Sequence, residues 1–235
     1  MGDPDGCADE QPPTRVRFDK PFWMGKVEVT NEQYALFDPA HDSRYISQTN
    51  KDQSTRGWPA NGPKQPVVRI SWQQAMAFCR WLSEKTGQRF TLPTEAQWEH
   101  ACRAGSATPL SYGDLDTDFS PFANLADASL RQYARANSPD WAPKDARFNA
   151  GGFVTRDVGS YQPNAWGLCD MHGNVAEWTY STYGSYPSHP HDPSATSRKV
   201  VRGGSWFDRP ARCRSAFRLS YPAWEGVYNV GFRVV

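Results

Sequence analysis

Asn164-Ala-Trp-Gly-Leu-Cys-Asp-Met-His-Gly-Asn-Val-Ala-Glu-Trp178 is where the chain changes character. Before it, residues 106–165 show little periodicity and hold many Asp, Asn, Pro and Ala, which predicts long loops with short elements. From Trp166 onward, short apolar pieces alternate with turns. Gly-Leu-Cys169, Val175–Thr179, Val200–Trp206, Arg214–Leu219 and Val230–Val235 read as short antiparallel strands. Toward the N-terminus the pattern becomes helical. Ala75, Phe78, Cys79 and Leu82 recur on one face after Ser71, and Gly87 sits where a left-handed cap would close the helix. Thr94-Glu-Ala-Gln97 is a capping box that opens a second helix, with Trp98, Ala101 and Cys102 on one face and Gly105 at its end. Thr30-Asn-Glu-Gln33 repeats the box and predicts a short helix to about Phe37. Strands are expected near Arg15–Phe18 and Phe22–Val29, and a long loop over 38–66. The class is α+β and coil-rich, with two main helices. No internal repeat or interdomain linker interrupts it, so one domain over 1–235 is expected.

Composition narrows the class further. The 235 residues are 38% hydrophobic and 22% charged, which allows a packed core. Ten Trp, ten Tyr and twelve Phe, with nineteen Pro and eighteen Gly, favour a loop-rich fold pinned by large aromatic side chains. The net charge of +1 carries no general nucleic-acid footprint, and Arg202, Arg209, Arg212, Arg214 and Arg218 read as a solvated basic face. Five cysteines at irregular spacing, without a CxxC, exclude a zinc ribbon or thioredoxin-type motif. Cys79 and Cys102 read as small core residues. No apolar run approaches a membrane span. The opening MGDPDGCADEQPP has neither a basic nor an apolar leader region, which leaves the compartment open. His189-Pro-His191 reads as a solvated turn.

Several phrases then fall in a fixed order: Val27-Glu-Val-Thr-Asn31, Pro66-Val-Val-Arg-Ile-Ser-Trp72, Phe90-Thr-Leu-Pro-Thr-Glu-Ala-Gln-Trp-Glu99 and the opening stretch. Val201-Arg-Gly-Gly-Ser-Trp206, Arg212-Cys-Arg-Ser-Ala-Phe-Arg218 and Val230-Gly-Phe-Arg233 follow. Each is weak alone, but the ordered set resembles the sulfatase-modifying-factor family, which includes formylglycine-generating enzymes. The resemblance covers nearly the whole chain. It implies a coil-rich variant of the C-type-lectin fold with a surface pocket near the C-terminus. Members usually begin with a strand ending in Met-Gly, so Met1-Gly2 places the first strand upstream of residue 1.

The same resemblance assigns chemistry. In the formylglycine-generating members, two cysteines five residues apart follow the Gly-Gly-Ser-aromatic phrase and form a dithiolate for Cu(I), a soft ion suited to thiolates. The copper binds a substrate cysteine and activates oxygen. Here the phrase is Gly203-Gly204-Ser205-Trp206; the second cysteine is Cys213, but the first position is Asp208, a hard oxygen ligand. A wall position that is commonly aromatic is Ala176. Asp170-Met-His-Gly-Asn-Val-Ala-Glu177 matches a family calcium loop, with carbonyls from Asp170, Gly173 and Val175 and the carboxylate of Glu177. A tight turn in which Glu177 caps backbone N–H groups is the alternative. A second family calcium site would begin at Asn124-Leu125, but its usual Asp is Ala150.

Two functions follow. One is a ligand-binding module without the copper dithiolate, taking a protein or peptide at its C-terminal surface. Trp206, Phe207, Asp208, Arg209, Arg212, Phe217, Tyr221, Trp224, Glu225 and Tyr228 would form that surface, since aromatic and Arg residues dominate binding hot spots. A core role for Trp206, Phe217 and Trp224 is the competing assignment. The variable proteins of diversity-generating retroelements share this fold and end in a similar Gly-Phe-Arg phrase. The other function is a formylglycine-generating oxidase with Cys213 and Ser205 as catalytic residues. Arg212 and Arg214 would then raise the thiolate character of Cys213.

Overall fold

The structure, a computed structural model, describes residues 1–47, 57–130, 146–185 and 197–235. His189 and His191 lie outside the described residues.

Both predicted capping boxes form, at Thr30 and Thr94, and a third stands at Ser71. Thr30 opens α1 (Asn31–Ala35), Ser71 opens α2 (Trp72–Thr86) and Thr94 opens α3 (Glu95–Arg103). In each, the cap side chain accepts from the backbone N–H three residues on, and the Gln there accepts from the cap's own N–H. Gly87 closes α2 at φ 71° as expected. α3 stops earlier than predicted, because Ala104 itself turns left-handed at φ 46° ahead of Gly105.

The loop over 38–66 carries an antiparallel pair, β1 (Tyr45–Ile46) and β2 (Trp58–Pro59). The main sheet holds β3 (Ala176–Thr182), β4 (Arg198–Arg202), β5 (Leu219–Pro222) and β6 (Val230–Gly231) in the order β5-β4-β3-β6. β5, β4 and β3 are antiparallel neighbours, whereas β6 runs parallel to β3, so the sheet is mixed rather than purely antiparallel. Gly231 permits this edge. A Cβ there would meet the Val67 carbonyl at 2.5 Å.

Four predicted strands fail; at Gly-Leu-Cys169 the backbone makes one bond across, from Cys169 N to the Lys26 carbonyl at 2.9 Å, and no ladder. Arg15–Phe18 pairs with nothing regular. Phe22–Val29 runs beside the C-terminus but makes only spaced bonds, from Gly25 N to Val234 O and Val29 N to Phe232 O. In Arg214–Leu219, strand pairing begins only at Leu219. The carbonyls of Ser215, Ala216 and Phe217 are instead taken by the Arg202 guanidinium at 2.7, 2.7 and 3.1 Å.

The largest core cluster packs Tyr34, Phe78 and Leu92 against Trp178, Val201 and Phe232. Tyr34 stacks on Phe78 at 5.5 Å, and Phe232 meets Phe78 edge-on at 5.4 Å. Trp98 and Cys102 of α3 join Leu168 and Met171, which seats the Asn164–Trp178 stretch on that helix. Burial pushes the thiols of Cys79 and Cys102 up to about 12, so both are inert packing groups.

Candidate functional site

The Gly-Gly-Ser-Trp phrase is a left-handed double turn after β4. Gly203 and Gly204 have φ of 90° and 65°, and a Cβ on Gly204 would lie 2.3 Å from the Cys213 sulfur. Only a glycine lets the thiol approach this closely. Ser205 then hydrogen-bonds Asp208 twice, through its N–H at 3.1 Å and its hydroxyl at 2.7 Å, both to Oδ2. Asn229 donates to the same hydroxyl at 2.7 Å, and Arg212 reaches Asp208 Oδ1 at 3.5 Å. Asp208 is thus the buried cap of its own turn.

Cys213 is fully buried, and its sulfur's recorded acceptor is the Asp208 carbonyl at 3.9 Å. Burial first, and the Asp208 charge second, hold its thiol well above the ordinary range. The expected activation by flanking arginines is therefore corrected. Arg214 is turned away, pairing with Glu10 at 2.7 Å and Asp3 at 2.9 Å, and Arg212 lowers the thiol by less than burial and Asp208 raise it. The donor set does not fit Cu(I). One protonated thiol and a carboxylate already committed to backbone and guanidinium make no dithiolate.

The expected basic face also dissolves. Arg202 and Arg218 are buried and bound to Glu95 of α3, with Arg202 also on Glu99. Of the predicted binding residues, Trp206 is core, edge-on to Phe153 and Phe207 at 5.5 Å each and to Tyr228 at 6.2 Å. Phe217 lies under Arg212, 5.7 Å from the guanidinium carbon, and Tyr221 packs on Trp178. Arg209, Arg212 and Trp224 are exposed, whereas Phe207, Phe217, Tyr221, Glu225 and Tyr228 are half-buried. The described contacts join Trp206, Phe207 and Tyr228 in one group and Asp208, Arg212 and Phe217 in another.

The predicted calcium loop winds tightly, with Asp170, Gly173 and Asn174 at φ 58°, 83° and 55°. Glu177 does not cap backbone N–H groups. Its carboxylate accepts three hydrogen bonds from Arg233, at 2.6 to 2.9 Å, and one from Trp98 Nε1 at 2.7 Å. Glu28 lies in the Val27–Asn31 phrase but carries no predicted role. That fully buried side chain accepts from Asn174 at 3.1 Å through Oε1, while its Oε2 has no hydrogen-bond partner. Asp170 accepts from Gly159 N at 2.6 Å. Burial, and then the Asp170 charge, raise Glu28 well above the ordinary carboxylate range; burial raises Asp170, against the hydrogen bonds it accepts from Gly159 N and shares with Glu28. Three buried acids thus face one arginine, Arg233. Glu28 and Asp170 lie close enough for their carboxyls to interact directly, and such a buried acid pair beside a tight loop suits a hard divalent cation. The only feature that marked Glu28 and Arg233 beforehand is a charge set between apolar neighbours.

At Asn124-Leu125 the Asn124 carbonyl accepts from Asn174 N at 2.9 Å, its Oδ1 is unpartnered, and the Leu125 side chain is core. The acid near Ala150 is Asp127, which accepts from Ala150 N at 2.6 Å.

The whole chain, residues 1–235, matches the Sulfatase-modifying factor enzyme 1-like domain, and the protein belongs to that family. It is 33% identical over 185 residues to the formylglycine-generating enzyme of Streptomyces coelicolor, covering 73% of this chain and 52% of that protein. The chain spans about half the length of the curated relatives it first matches. Among solved structures, PvdO from Pseudomonas aeruginosa superposes with a TM-score of 0.77 at 28% identity, covering 99% of this chain and 88% of that one. Treponema denticola variable protein 1 superposes at 0.65 and 23% identity over 90% and 82% of the two chains, which is a likeness of fold. The coil-rich, C-type-lectin-like architecture is therefore the one these proteins share.

Proposed function

We propose that this protein is a ligand-binding member of its family that recognises a protein or peptide through its C-terminal surface and does not carry out copper-dependent formylglycine formation. One observation carries the reading: the position of the first copper cysteine is Asp208, folded inward as the cap of Ser205, and Cys213 is a buried, protonated thiol. Arg209, Arg212 and Trp224 are the exposed anchors available for a partner, flanked by half-buried Phe207 and Tyr228. The fold shared with the Treponema variable protein supports a diversified binding surface. A near-repeat of the 206–229 segment beside a reverse transcriptase gene would establish that refinement.

Calcium is proposed as a structural ligand of the 170–177 loop. Asp170, Gly173 and Val175 would supply carbonyls. Glu28 would supply the carboxylate in place of Glu177, which Arg233 and Trp98 hold. When bound, the ion would neutralise buried acid.

The experiment is Cu(I) titration of the purified protein, with aldehyde-specific trapping of a Cys-x-Pro-x-Arg peptide incubated with copper and oxygen. No tight copper and no aldehyde are expected. Asp208→Cys restores the two-cysteine spacing and is expected to gain copper binding. Stoichiometric copper and a trapped aldehyde with the wild-type chain would replace this reading with the oxidase.

A further inference from the structure

We infer a second binding site, for an oligosaccharide, on the face opposite in character to the C-terminal surface. It consists of two clefts meeting at Trp23. Residues 15–24 run across α3 without regular pairing. Their rings form a connected series: Phe22 lies 5.5 Å from Phe18, Phe18 lies 5.0 Å from His100 of α3, and His100 meets Trp166 edge-on at 4.9 Å. These rings line a cleft of about 490 Å³, a size typical of small-ligand sites. Trp23 is 94% exposed and Trp166 51% exposed. A large apolar side chain left in water is the informative exception on a folded surface, and here two share one cleft.

Trp23 and Phe22 also wall a second cleft of about 710 Å³, lined by Gln88, Arg89, Thr94, Gln97 and Tyr180. The surface is therefore a ridge of indole with an aromatic floor on one side and amide, hydroxyl and guanidinium groups on the other. The rim of the first cleft carries Asp19 and Lys20.

That chemistry selects the occupant. Pyranose rings present weakly positive C–H faces that stack on the negative face of an indole. Their hydroxyls both donate and accept, and the rims offer both roles: Asp19 accepts, Lys20 and Arg89 donate, and the glutamines do each. The lining charges nearly cancel, which does not favour a polyanion. Two joined clefts match a chain of several sugar units straddling Trp23. No ion is needed, so binding is independent of calcium.

The test is titration of the full chain with tetrasaccharides of β-1,4-linked glucose, N-acetylglucosamine or galacturonate, and with a tetraproline-containing peptide. Tryptophan emission and iodide quenching are the readouts. Wild-type protein is expected to show iodide-accessible tryptophan that at least one saccharide protects, with chelator present. Trp23→Ala and Trp166→Ala, both at the surface and so compatible with folding, are expected to weaken binding at least tenfold. Trp224→Ala, at the C-terminal surface, is expected to leave it unchanged. Protection by the peptide alone, no protection by any saccharide, or binding unaffected by loss of Trp23 and Trp166 overturns the assignment. Failure here leaves the proposed function standing, because that function rests on other residues.

Discussion

Two clusters of buried acid meet α3, one through its own Glu95 and Glu99 and one through Trp98, and the chain treats them differently. In one, Glu95 and Glu99 meet Arg202, Arg218 and Arg103, so each carboxylate has at least one guanidinium. In the other, Glu28, Asp170 and Glu177 share Arg233. The first is a closed lattice in which every carboxylate touches a guanidinium. The second is left short of positive charge, so it must take up a proton or a cation. Equal burial therefore does not mean equal chemistry; the ratio of acids to guanidiniums decides whether a buried cluster holds the fold or can answer to its surroundings.

The largest effect should come from opening the closed lattice. Arg202→Met removes the guanidinium from Glu99 Oε2, leaves Glu99 only Arg103 at its other oxygen, and frees three carbonyls, and a loss of about 3–5 kcal/mol in denaturant unfolding is expected. Glu177→Gln, equally buried but in the acid-rich cluster, should cost clearly less, since it relieves repulsion while it loses a bond to Arg233. Equal losses would break the contrast between the clusters.

Next in size is a pH effect within the acid-rich loop. Burial lowers His172 to about 4, and it is held neutral by donating to the Cys213 carbonyl at 2.7 Å and accepting from Ser111 N at 3.0 Å. Its folded pKa lies below its unfolded value. The stability it contributes is thus present above pH ~6.5 and lost as pH falls toward 4, by about 3 kcal/mol. Glu28 and Asp170, raised in the fold, run the other way: their contribution is present at low pH and lost as pH rises through their folded values. The measurement is therefore the difference between wild-type and His172→Gln unfolding curves from pH 7 to 4. A constant difference across that range would remove His172 from the account.

Smallest is the response to calcium. At a hundredfold excess over its dissociation constant, the ion should stabilise the wild type by about 2.7 kcal/mol, and Glu28→Gln should abolish most of that gain. Arg202→Met should respond like wild type, relative to its own baseline. Calcium that stabilises the Glu28 variant undiminished would place the ion elsewhere.

What was legible beforehand was local. Thr30 with Gln33 and Thr94 with Gln97 signal helix starts within four residues, and both helices begin there. The Asp208 departure was readable because it falls at a fixed distance from Cys213. The Arg214–Leu219 segment misled because its carbonyls bond to a side chain rather than to a neighbouring strand, and composition does not distinguish those outcomes. The parallel pairing of β6 and the orphaned oxygen of Glu28 both depend on partners more than fifty residues away. Nothing in the sequence separates Trp23 and Trp166 from the other aromatics of a chain rich in them.

The Arg202 and Arg218 lattice also sets an order of events in time. Glu95 and Glu99 belong to α3, and Arg103 is a local partner of Glu99, yet Arg202 and Arg218 come 103 and 123 residues after the acids they hold. During synthesis, α3 can form its capping box early, but it cannot bury its acids until residue 218 has left the ribosome. The interval is spent with Glu95 lacking both of its guanidinium partners, even though the apolar face of α3 can already meet Leu168 and Met171. Such long-range closure is slow compared with helix formation. The native core of this protein is thus assembled late, as its C-terminal segment arrives, and a chain stalled before that point should be a substrate for chaperones or proteases rather than a partly folded domain.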